Sequence, residues 1–356
     1  MGVLAGDDLL IGPRGRVLCM AVAHRLEQRV WSAWVDAAWH RGDSARLNAL
    51  VEAMDEVDVQ LVGGWDPAAF LEPIADTVSH AMYWQPPHDE DVIAATPAVR
   101  DALRPLAEAI AAAPGAVWWN SPVDLSALRC TCWVDERRVT TLPAPALTGG
   151  VKKLLQWREH TVAANLDART NRPPDRKVQY SGTWWSAPTL VSLVSTTRPL
   201  DHLGTIELAW HEDSLGFQDA LIWSLTTIRS PRVWEIDRPQ AWVDLVRAYP
   251  LDVTDERRDD WHRTTGRQGA WLIPDWSAVA IEWDAVHVSV AGYLTTATRA
   301  LPLPDGAGAT MLAGWNPDQT WWLTDTLELT KEKPDGWHKT EDPAEPELNW
   351  HQVTAW

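Results

Sequence analysis

At Pro114-Gly115 the spacing of apolar residues along this chain changes. Before that point they recur every three or four positions. Leu18, Val22, Leu26, Val30 and Trp34 form one stripe, and Leu47, Leu50, Val51, Met54 and Val57 form another. Such spacing lines one face of a helix. The first stripe predicts a single helix over 18–39. Ser44 is placed to cap the second, and Asp66-Pro67 and Thr96-Pro97 each supply a capping side chain followed by a first-turn proline. Those two signals open helices through Phe70, Ile74 and Val78 and through Val99, Leu103, Leu106 and Ile110. Pro105 is expected to kink or split the last of these, because it removes a backbone donor and crowds the preceding turn.

After Gly115 the pattern becomes short, β-prone runs: AVWWN, RCTCWVD, VQYSGTWW, TLVSLVSTT, TIELAW, ALIWSLTTI, RVWEI, AVHVSVAGYLTT, ATMLAGW and QTWWLTDTLEL. The turn-rich pieces between most of them are too short for crossover helices, so the pairing is expected to be antiparallel. Three helical stretches interrupt the runs, over 151–168, 237–249 and 275–283. The expected fold class is α+β. An all-α helical domain would occupy 1–115, and a Trp-rich domain with a mostly antiparallel sheet and flanking helices 116–330. An acidic tail would follow over 331–356. That tail carries 3 basic and 6 acidic groups and three prolines, and is expected to be disordered or laid along the surface by its tryptophans. A chain of 356 residues is also longer than one ordinary core supports.

The aromatic complement is unusual, with 25 Trp against 2 Phe and 4 Tyr. Each buried indole brings an N–H that needs an acceptor, so tryptophan serves either as a costly core filler or as the wall of a cleft for a planar or cationic ligand. The pairs Trp118-Trp119, Trp184-Trp185 and Trp321-Trp322 bear on that choice. Neighbours in a strand face opposite sides, so one member of each pair has to meet a second layer, a ligand or solvent.

The net charge of −18 argues against nucleic acid as a partner, since a phosphate backbone would be repelled at long range. Half of that charge lies in the first 115 residues, where 8 Arg and no Lys face 17 Asp plus Glu. Three cysteines, Cys19, Cys130 and Cys132, without a CxxC pair, point to a reducing compartment, and a cytoplasmic location is expected. No stretch approaches eighteen apolar residues, so no membrane span is expected.

Candidate chemistry concentrates between Trp261 and Tyr293. Asp284-x-x-His287 sets a carboxylate beside an imidazole as a candidate acid/base pair, with Tyr293 following. Upstream, the segment DERRDDWHRTTGR reads as a loop in which Arg263, Thr265 and Arg267 could hold a phosphate or carboxylate. Trp261 and Trp271 would stack on a planar group. His211-Glu212-Asp213, after an apolar run, supplies a further carboxylate, and Glu212 is assigned to ligand binding. No histidines stand in an HxH or HxxxH arrangement, so no metal site is assigned and no cofactor is named.

The run D-x-x-H-x-x-x-x-G-Y at 284–293 resembles the last block of GDSL-type hydrolases, whose Asp and His complete a serine triad; the resemblance implies Ser214, in Asp213-Ser214-Leu215, as nucleophile. Residue 212 is Glu where that family has Gly, the serine block lies only about seventy residues upstream, and the family's intervening Gly and Asn blocks and parallel βα units are absent. No family is therefore assigned. The chain is expected to be an enzyme or binding protein for a small anionic, planar ligand, nucleotide-like or an aromatic acid, held in a Trp-lined cleft of the second domain. The rival expectation is a non-catalytic protein that meets a protein partner through its acidic helical face and exposed tryptophans.

Overall fold

The computed structural model describes residues 4–134, 143–173, 180–189, 192–200, 202–213, 216–340 and 349–353. Helices dominate up to residue 120, and two larger, mostly antiparallel sheets and two two-stranded ones follow among the described residues, as the change of apolar period predicts.

The first stripe is divided between two helices, Pro13–Leu26 and Arg29–Trp39. Glu27 is extended between them, and its carboxylate accepts the Arg29 amide at 3.0 Å. A side chain that satisfies the orphan amides of a new helix lets the axis turn within one continuous apolar stripe. Ser44–Asp55 starts one residue earlier than a Ser44 cap implies, because Asp43 caps it by accepting from Ala45 and Arg46. Leu71–Ser79 follows a short 3₁₀ turn, and Pro97–Ala112 continues as one helix through Pro105, which lies exposed. The segment AVWWN, expected as a strand, belongs to the 3₁₀ turn Pro114–Asn120. Pro114 and Gly115 favour that turn, and Gly115 N–H donates to the Trp65 carbonyl.

One sheet is built on the strand Asp219–Thr227. It pairs antiparallel with Leu128–Val134, Leu327–Leu329 and Asp335–Lys339, and the last pairs in turn with Trp350–Val353. The second sheet runs Val194–Thr196, Gln319–Trp322, Ala285–Val288, Val233–Ile236, and its last pairing is parallel. TIELAW, also expected as a strand, carries the 3₁₀ turn Ile206–Leu208, capped by Thr205. AVHVSVAGYLTT divides at Ser289, whose hydroxyl caps the helix Val290–Thr296.

The tail differs from expectation. Asp335–Lys339 and Trp350–Val353 are sheet strands, and Trp337 and Trp350 are buried. Composition is a poor guide to such a segment, because two large indoles and a ready strand edge offset its charge. Trp356 lies outside the described residues. Buried apolar side chains from both sides of residue 115, from Leu4 to Trp350, form one contiguous cluster. Many of its indoles donate to carbonyls far away in sequence, Trp34 to Glu90, Trp210 to Leu71 and Trp276 to Ser186. Among the described residues no helix is long and apolar enough to cross a membrane.

Candidate functional site

A cleft of about 380 Å³ opens where the rims of the two sheets meet. The alternation of strand side chains builds two of its walls. Thr131 and Trp133 share one face of Leu128–Val134, and Gln319 and Trp321 share one face of Gln319–Trp322. Trp322 faces the other way, into a small separate core with Trp223, and donates to the Thr196 hydroxyl. The expectation that paired tryptophans divide between layers is met in this pair. Trp184 and Trp185 both line the cleft, and they are not in a strand. Gly314 closes the wall behind them: its φ of +75° is left-handed, and a Cβ there would meet Trp185 at 2.8 Å.

Glu207, His211, Glu212, Asn316 and Gln319 form a connected polar cluster in the cleft. Asn316 ties them together. Its Oδ1 accepts the Glu212 amide at 2.9 Å, and its Nδ2 donates to Glu207 Oε1 at 3.3 Å and lies 3.2 Å from His211 Nδ1. Gln319 Nε2 donates to the same Glu207 oxygen at 3.5 Å. Glu212 Oε1 accepts two phenols, Tyr83 at 2.5 Å and Tyr293 at 2.7 Å. Tyr83 also stacks on Trp184, with ring centroids 5.3 Å apart. Burial raises the Glu212 carboxyl to about 7, against the pull of both phenols and of the Arg14 guanidinium. Arg14 is itself buried, held by Asp91 and the Thr77 carbonyl.

Five residues lining this cleft each keep a buried polar atom without a hydrogen-bond partner among the described residues: Glu207 Oε2, Glu212 Oε2, the Thr131 and Thr189 hydroxyls and the Trp321 N–H. Folded proteins rarely tolerate such groups, at about 1–3 kcal/mol each, except where a ligand or water meets them.

The residues expected to form the site are distributed differently. Tyr293 and Glu212 do meet, as donor and acceptor. Gly292 lets the helix bearing Tyr293 pack closely on the end of Val233–Ile236, since a Cβ there would fall 1.9 Å from the Ile236 carbonyl oxygen. Asp284 and His287 do not pair. Asp284 receives both terminal nitrogens of Arg229, the Arg232 amide and the Thr324 hydroxyl, which hold its carboxyl down to about 2 despite burial. His287 is fully buried between Glu235, 2.5 Å from Nδ1, and Asp318, 3.4 Å from Nε2. Those two carboxylates overcome burial and raise the imidazole to about 9. A ring that keeps its proton at neutral pH, with no exposed nitrogen, has no basic site to offer a substrate. Its place is structural: Asp318, also held by Arg198, belongs to the turn that presents Asn316 and Gln319 to the cleft.

The segment expected as an anion-binding loop is the helix Thr254–Thr265, and its polar groups anchor the indole wall. Arg263 donates to the Trp84 and Tyr180 carbonyls and pairs with Asp260. The Asp260 carboxylate accepts from the Ser181 hydroxyl and Gly182 amide. Trp261 N–H donates to the Trp184 carbonyl, and Arg257 to that of Trp185. Trp261 and Trp271 are fully buried against each other, so neither face is open to a ligand. Arg267 donates to the Ala270 carbonyl and lies over Trp271. Thr265 donates to the Trp261 carbonyl and lines a different cavity. Ser214 lies outside the described residues.

Glu207, Asn316 and Gln319 are polar cleft residues that motif reading missed. A lone carboxylate inside the apolar run TIELAW was the available signal for Glu207; Asn316 in WNPDQ reads as an ordinary turn. Among the described residues no group of three or more His, Cys, Asp and Glu converges to hold a metal ion. No family model, curated protein or solved structure matches this chain.

Proposed function

We propose that this protein is a hydrolase acting on glycosidic bonds of a neutral, hydroxyl-rich substrate, a small carbohydrate, bound in the Trp-walled cleft. The observation that carries the reading is the pairing of two buried carboxylates, Glu207 and Glu212, with three further unpartnered polar groups inside walls of four indoles. Indole faces suit the C–H faces of a sugar ring, and carboxylates, amides and hydroxyls suit its hydroxyls. Two carboxyl groups in different surroundings are the apparatus of glycoside hydrolysis. Glu212, protonated near neutral pH, donates its proton to the leaving oxygen as the C–O bond breaks. Glu207, its Oε1 held by two amides, takes the proton of the attacking water, and solvent restores both groups.

An anionic ligand was expected from Arg263 and Arg267, but the ionisable groups of this cleft are carboxylates and one imidazole. Such a lining disfavours an anion. A cytoplasmic location, inferred from cysteine usage, forms part of the proposal.

The test is a titration of intrinsic tryptophan emission with mono- and disaccharides, alongside hydrolysis of aryl glycosides. Saturable quenching and turnover, with turnover lost in Glu212→Gln while quenching survives, is the expected result. Quenching by aromatic acids or nucleotides, and by no saccharide, would overturn the reading.

A second reading, protein binding without catalysis, is supported by Trp31 and Trp39, 43 % and 79 % exposed on the helix Arg29–Trp39. It predicts self-association or a co-purifying protein that Trp39→Ala abolishes, and no turnover.

A further inference from the structure

Asp91, the partner of Arg14, lines a second cavity, of about 460 Å³. Its lining comes from the helix Pro13–Leu26, the segment 80–95, the end of Thr254–Thr265 and residues 298–300. In a chain of net charge −18 this cavity is lined by Arg16, Arg299, His80 and His88, with Asp91 the single carboxylate among its lining residues.

That carboxylate is already committed, because both its oxygens accept from Arg14 Nη2, at 3.2 and 3.0 Å. Arg14 and Asp91 cancel, which leaves two arginines lining one cavity. Arg16 donates through Nη1 to the Leu10 and Ile11 carbonyls at 3.1 and 2.9 Å, and its buried Nε has no partner. Arg299 is anchored by Nη1 to the Thr295 carbonyl at 2.5 Å. Neither contact neutralises charge. Burial lowers Arg16 to about 10, and Arg100, Arg14 and Arg299 press in the same direction while only Asp91 opposes them.

Thr298 adds a second kind of signal. Its φ of +64° is left-handed, a region that a β-branched residue rarely adopts, and its buried hydroxyl has no partner. Strain of this kind persists where the surroundings require the side chain in one place. Arg16, Thr298 and Arg299 thus line one cavity from two separate stretches of chain.

We propose that this cavity is an anion site that takes a phosphate-type oxyanion, with Arg16 and Arg299 as its charged donors and the Thr298 hydroxyl as a third. A tetrahedral dianion matches two uncompensated guanidiniums in charge, and donors arriving from different directions in geometry. The cavity is lined by other residues than the acidic cleft, and it places the phosphate-binding chemistry expected of the 255–267 segment on other arginines.

The experiment is calorimetric titration of the full chain with sodium phosphate and with phenyl phosphate at constant ionic strength, beside thermal unfolding in phosphate and in chloride. Saturable binding, a midpoint raised by a few degrees in phosphate, and a Kd weakened at least tenfold in Arg299→Gln are the expected results. Tighter binding of inorganic phosphate identifies the free anion as occupant, and tighter binding of phenyl phosphate identifies a phosphorylated small molecule. Arg16→Gln should weaken both; if that buried variant does not fold, Arg299→Gln, at a half-buried position, decides alone. Absence of saturable binding, or equal affinity and equal thermal shift in Arg299→Gln, would mean that phosphate acts only as an excluded salt and would overturn the assignment.

Discussion

Tyr293 donates its hydroxyl to Glu212 Oε1 at 2.7 Å, joining residues 81 positions apart. Tyr83 donates to the same oxygen, so one carboxylate oxygen is saturated by phenols and the other is left at the cleft with no partner. The arrangement orients the carboxyl group and keeps it desolvated. Its cost and its chemical use are separable by mutation.

Glu212→Gln should stabilise the fold above neutral pH while abolishing turnover. A carboxyl raised from 4.5 to about 7 binds its proton more tightly in the folded state, so stability falls as pH rises from 4.5 through 7. The amide cannot ionise, so that slope should vanish, with a gain of a few kcal/mol at pH 8. Urea unfolding at pH 4, 6 and 8 reads the slope, and aryl glycoside hydrolysis should fall by at least about 10²-fold.

Tyr293→Phe removes a donor that favours the ionised carboxylate, and so should raise the Glu212 pKa further. As the general acid has to be protonated, the alkaline limb of the pH–rate profile moves to higher pH. An unmoved limb would separate Glu212 from the acid role.

His287→Gln should cost about 3–5 kcal/mol at pH 6, where it breaks a buried charged network, and less at pH 10. The imidazole is raised from 6.5 to about 9, so its contribution is complete below 6.5 and is lost as pH rises through 9. Melting curves across pH 5 to 10 check this. A variant with wild-type stability and no activity would return His287 to a catalytic role.

Asp284→Asn should lower the melting midpoint at pH 7 and leave saccharide quenching intact. Its carboxyl is held down to about 2 by Arg229, the Arg232 amide and Thr324, so its contribution is present above 3.8 and disappears as pH falls through 2. The wild-type acid transition should therefore move to higher pH in the variant.

Trp133→Ala should weaken saccharide binding about tenfold, as expected for removing one aromatic contact of about 1.4 kcal/mol, with a small effect on melting. Trp133 packs on Phe217 and His211 at the rim and is only partly buried. A large loss of stability with unchanged affinity would make it a core residue.

Much of the architecture was legible in local pattern. The apolar stripes, the proline-led helix starts and the division of Trp321 from Trp322 are consequences of the 3.6- and 2-residue periods, which act over a few residues. The errors also have local causes. Ile206–Leu208 has strand-like composition, yet the Thr205 cap turns it into a 3₁₀ segment. Asp335–Lys339 belongs to an acidic tail and follows a proline, but tertiary pairing with Asp219–Thr227 overrides that composition.

By itself, then, the sequence determined the division into a helical first part and a β-rich second part, the acidity of the chain and the presence of polar residues such as Glu212 and Tyr293 in apolar surroundings. Only the tertiary structure decided that Asp284 would turn to Arg229 and His287 to Asp318, and that Glu207, Glu212, Asn316 and Tyr83 would meet at one cleft. The reason is physical. A periodic pattern says which face of an element is buried, but the charge state and partner of a polar group depend on which other polar groups lose water beside it. Those groups lie up to 129 residues away in the chain, as Tyr83 does from Glu212.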